Sequence, residues 1–105
     1  MTEKNSGSNG RTAVISGEAL EANLKRWLEN PFWAEYYNRA PTERCRRYIA
    51  LQFYFSWYGD DDSVRALKEA EAELGIPELR YLVKYCGNNP KRKAFHDRIR
   101  ALGGD

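Results

Sequence analysis

One histidine, two cysteines and one methionine stand among 105 residues, and that scarcity removes several chemistries at once. His96 alone cannot build a histidine-rich metal site, and a catalytic dyad would need a nucleophile brought to it from elsewhere in the chain. It is read as a partly exposed structural residue. Cys45 and Cys86 lack the CxxC spacing of zinc or dithiol sites. Each falls on an apolar helical stripe, which predicts two free buried thiols in a reducing cytoplasm; a disulfide between them stays open if their helices meet. Long apolar runs are missing too. The longest uncharged stretch, Tyr48 to Gly59, is 12 residues, against the ~20 that a membrane-spanning helix needs. Charge of one sign is also scarce. Lys plus Arg number 17 and Asp plus Glu 15, net +2, which excludes a polycation but leaves room for a local basic face. No apolar segment of a signal peptide occurs near the start, and residues 1–14 are expected to be a flexible polar tail. There is no strand-like alternation of β-branched residues, and no GxxxxGK[ST], GxGxxG, HExxH or GxSxG.

What is present is punctuation. Pro31, Pro41, Pro77 and Pro90 each suit the first turn of a helix, and Gly59, Gly75, Gly87 and Gly103 each follow an apolar periodic stretch, as C-caps do. Six helical segments result, in a single domain over residues 15–103. The first covers about Glu18 to Glu29, capped by Ser16, with Leu20, Leu24, Trp27 and Leu28 on one face. A short aromatic helix follows from Pro31 to Asn38. In the third, Tyr48, Leu51, Phe55 and Tyr58 form one stripe and Ile49, Phe53 and Trp57 another, with no charge between them. A helix apolar most of the way round is buried on several sides. The fold class predicted is therefore all-α, a compact bundle of five to six short helices around a central buried helix at about 41–58. A fourth helix starts at Asp60–Ser63 and ends at Leu74. A fifth runs from Pro77 to Cys86 with Leu79, Leu82, Val83 and Cys86 at i, i+3, i+4 and i+7. The last reaches about Leu102 with Phe95, Ile99 and Leu102 inward.

Two motif outlines do not survive inspection. A calcium loop counted from Asp60 puts Glu71 at position 12, but Val64 at position 5 offers no side-chain oxygen and Arg65 replaces the glycine of the sharp turn. The acids instead suit a helix N-terminus. The stretch Leu67 to Val83 has the outline of a helix-turn-helix, yet Glu71 stands where a small residue belongs and the turn is short, so an ordinary helical corner accounts for it. Glu69, Glu71 and Glu73, spaced by two, do not share a helix face and read as a solvated side rather than a general acid/base pair. No catalytic residue, metal site or cofactor is expected.

Charge and aromatic distribution carry the functional expectation. Residues 59–78 hold seven acids and two bases; residues 79–105 hold seven bases and two acids. On the fifth helix Arg80, Tyr81, Lys84 and Tyr85 are expected to cover the side away from the apolar stripe, followed by Asn88, Lys91, Arg92 and Lys93. Cations interleaved with rings and amides suit phosphate contact and base stacking. The same surface would also meet acidic protein, in a partner or in the chain's own 60–73 segment. Seven tyrosines and three tryptophans exceed what a small core buries with every polar tip satisfied, so several are expected outside, where Tyr, Trp and Arg mark protein interfaces. The expectation is a non-catalytic binding module with a protein partner or self-association, and, as the alternative, a DNA- or RNA-binding accessory protein using residues 80–100. No membrane association is expected.

Overall fold

Side-chain caps decide where the helices begin. A computed structural model describes residues 15–86 and 89–104, with Cys86 represented by its backbone. The expected tail, the Gly87 cap, Asn88 and the packing of Cys86 lie outside the described residues. Six helices and no strand occur among them: α1 Gly17–Trp27, α2 Pro31–Asn38, α3 Glu43–Tyr58, α4 Asp61–Ala72, α5 Ile76–Cys86 and α6 Lys91–Ala101. The Ser16 hydroxyl accepts the Ala19 N–H, Asn30 accepts that of Phe32, Thr42 that of Cys45 and Asp60 that of Ser63. Each relieves one orphan donor of a helix start. Gly59 ends α3 in the left-handed region, φ 61°, where a side chain would be strained.

The bundle is all-helical, with α3 at its centre. It packs against α1, α2 and α4, while α5 pairs with α6. Rings and polar side chains join the α5–α6 pair to the rest. Tyr48 of α3 meets Phe95 of α6 edge-on at 6.2 Å between centroids, and the Tyr81 hydroxyl of α5 donates to the Tyr36 carbonyl of α2 at 2.5 Å. Cys45, Tyr48, Ile49, Leu51 and Phe53 are buried, as are Leu79, Leu82, Phe95 and Ile99 on the facing helices. α1 lies alongside α3 in the same direction: Trp27 stacks on Phe53 at 4.7 Å and Arg26 sits over Trp57 at 5.0 Å.

Burial along α3 stops earlier than the expected stripes. Phe53 is enclosed, whereas Phe55, Trp57 and Tyr58 are exposed. The chain turns at Gly59 and α4 packs back along α3, and Arg26 of α1 lies over Trp57 while that ring stays half open to water. On α1 the four expected apolar residues are only half-buried, and the one fully buried residue is Asn23. Glu71, expected to be solvated, is half-buried and paired with Lys91 at 2.9 Å, while Glu69 and Glu73 face water. No helix among the described residues is long and apolar enough to cross a membrane.

Candidate binding surfaces

The aromatic residues divide into a cluster whose outer rings are half-buried and an open end. The cluster is built around Tyr36, which is buried and touches rings from three helices: Trp33 at 5.9 Å, Phe53 at 6.3 Å, Tyr81 at 6.0 Å and Tyr85 at 5.0 Å. Its hydroxyl donates to Gln52 Oε1 at 2.9 Å. Tyr81 and Tyr85 therefore turn inward, not away from the apolar stripe as expected. On α5 the side facing α2 is occupied by the aromatic helix itself, which gives these two residues a second buried neighbour. Burial, then the adjacent Tyr85 hydroxyl, raises the Tyr81 phenol above the usual tyrosine range.

The open end is formed by α1, α2 and α3 together. Phe32 is 55% exposed, Trp57 55%, Tyr58 53% and Phe55 38%. Tyr54 and Tyr58 pack ring to ring at 4.4 Å, and Phe32 meets Trp33 edge-on at 4.7 Å. Three tryptophans, Trp27, Trp33 and Trp57, converge with Arg26 and Asn30 on a shallow cleft of about 260 Å³. Position 57 lies on a stripe that reads as core, so only the neighbours supplied by the fold reveal it as surface.

Of the expected basic surface, part is consumed within the molecule. Arg80 donates to the Gly104 carbonyl at 2.7 Å, Lys91 pairs with Glu71, and Arg98 donates to the Ala72 carbonyl at 2.8 Å. The chain's own acidic segment thus takes up cations from the basic one. Lys84, Arg92 and Lys93 remain exposed, and Lys93 shares Asp97 with Arg100, at 3.0 and 2.8 Å. Those two partners, Lys93 foremost, hold the Asp97 carboxyl below the ordinary aspartate range. Asn88 lies outside the described residues.

Cys45 is a free, buried thiol. Burial first and the Glu78 charge second push its pKa up to about 12, so it stays protonated and unreactive near neutrality. His96 is exposed on α6 beside Asp97. Among the described residues no group of three His, Cys, Asp or Glu side chains comes together. No family model, no curated protein and no solved structure matches the chain.

Proposed function

We propose that the chain is a non-catalytic binding module that docks on a protein partner through the open aromatic end. The observation that carries this is the exposure of Phe32, Trp57 and Tyr58, each more than half open to water, with Arg26 seated over Trp57. Large rings left in water cost hydration free energy that a partner recovers on contact, and Trp, Tyr and Arg dominate the centres of protein interfaces. Lys84, exposed on α5, acts through charge and sets encounter rate more than affinity. A reducing interior such as the cytoplasm suits the free thiol of Cys45.

Capture from native lysate, with light scattering for self-association, tests the reading. A retained partner or a dimer is expected with the native chain and lost in the Phe32→Ala/Trp57→Ala double variant, whose melting temperature stays near that of the native chain. A strict monomer with no retained partner, or retention indifferent to the two substitutions, overturns it.

A further inference from the structure

Two grooves meet at Asn89. The first, about 340 Å³, is lined by Trp33, Tyr36, Phe53 and Tyr85, and carries no charged side chain. The second, about 640 Å³, follows α6 between Arg92, Lys93, His96 and Arg100. Three permanent cations stand there against one carboxylate, Asp97. Asn89 lines both, so a ring-lined and a cationic groove adjoin on one surface.

The polar groups of the first groove are neutral. Gln52, which lines this groove, has its carbonyl occupied by the Tyr36 hydroxyl, which leaves its NH₂ as the remaining donor. Asn89 accepts the Lys91 N–H through Oδ1 and likewise keeps its NH₂. Flat rings with amide donors, beside a row of cations, match a ligand that alternates flat heteroaromatic groups with negative charge. An acidic peptide would satisfy the cations but has no use for the uncharged ring-lined stretch. A duplex would meet the cations but keeps its base faces stacked away from Trp33 and Tyr85.

We propose that the joined groove binds single-stranded nucleic acid, with bases against Trp33 and Tyr85 and phosphates on Arg92, Lys93 and Arg100. This goes beyond protein docking and uses different side chains: Phe32, Trp57 and Tyr58 line neither groove. Asp97 is the built-in competitor. It holds Lys93 and Arg100 together, and an incoming phosphate displaces it from both.

The test is a fluorescence titration of the full chain, carrying Trp57→Phe to remove the outlying indole, with an oligouridylate of about ten nucleotides. Tryptophan emission is expected to fall as a base covers Trp33. Three phosphate contacts at ~0.7 log units each per decade of salt weaken binding about 20-fold between roughly 50 and 200 mM. Asp97→Asn tightens binding several-fold by releasing two cations, whereas the Lys93→Glu/Arg100→Glu double variant abolishes it with melting unchanged. Any of four results overturns the proposal: no binding at the lowest salt, weaker binding in Asp97→Asn, duplex binding as tight as single-strand binding with no change in emission, or polyglutamate competing as well as the oligonucleotide. None of these bears on the Phe32/Trp57 double variant, so the two surfaces stand or fall separately.

Discussion

The Thr42 hydroxyl donates to Glu78 Oε2 across 2.6 Å, joining the start of α3 to the first turn of α5. Thr42 also accepts the Cys45 N–H at 3.1 Å, so one hydroxyl caps its own helix and reaches a second. Glu78 is only 1% exposed. Its other oxygen accepts the Gly75 N–H, the reciprocal half of a capping box, and Arg44 lies 3.3 Å away. A buried carboxylate is tolerable only when its lone pairs are filled, and here they are filled from two helix starts and one cation. Glu78→Ala leaves Thr42 and the Gly75 N–H without their acceptor and is expected to cost about 3 kcal/mol, read as a lowered urea midpoint. Glu78→Gln keeps the acceptor on one side and should cost less.

The same carboxylate shapes the acid limb of stability. Burial alone would raise its pKa, but the Thr42 hydroxyl, the Gly75 N–H and Arg44 together outweigh burial and hold it below the ordinary 4.5. The unfolded chain therefore takes up this proton first as pH falls. The stabilisation is complete above about pH 4.5 and is lost as pH drops through the lower folded value. Asp60, held down chiefly by its hydrogen bonds with Ser63, and Asp97 act in the same direction. The difference between the native chain and Glu78→Gln isolates Glu78: the gap in urea midpoint should be constant from pH 7 to about 5 and close below that. A gap unchanged down to acid unfolding would show that Glu78 does not titrate in this way.

Substitutions along α3 separate core from surface. Phe53 is enclosed between Trp27, stacked at 4.7 Å, and Trp33, edge-on at 5.7 Å. Phe53→Ala should cost about 3–5 kcal/mol through lost burial and the cavity left behind. Trp57, one turn on, is exposed, and Trp57→Ala should change stability by only about 0.5 kcal/mol. Thermal melts of the two variants make the comparison, and equal costs would mean that the end of α3 is covered after all.

That contrast also marks where sequence reasoning stopped. Helix starts were legible where caps are local chemistry: Ser16 and Asp60 need only the N–H three residues on. The buried faces of α5 and α6 were legible from spacing, as Leu79, Leu82, Phe95 and Ile99 show, but Leu102, expected inward, caps the end of α6 and is exposed. Tyr48 to Tyr58 was harder, because an uncharged run is equally apolar whether a neighbour covers it or not. Tyr81 and Tyr85 were placed outward for a related reason: a helical wheel shows one stripe, and α2 supplied a second neighbour that the wheel does not contain. The Glu78 junction left a trace in the Gly75–Glu78 spacing, the interval of a capping box, but Glu78 entered the reading only as one of the seven acids of residues 59–78.

Asn23 offers the last test, because it occupies the most buried position of α1 with neither amide atom hydrogen-bonded. An amide in an apolar contact without partners has lost its water and gained nothing in return. Leucine has a similar volume and no polar atom to desolvate, and it favours the helix more. Asn23→Leu is therefore expected to raise stability by about 1–2 kcal/mol, visible as a higher urea midpoint with unchanged denaturant slope. A loss of stability would mean that the pocket between α1 and α3 is shaped for the amide or holds a polar partner for it. Trp27, one turn along on the same side, has its Nε1 buried and unpartnered as well, so a water shared by the two groups would be that partner and its loss would carry the cost.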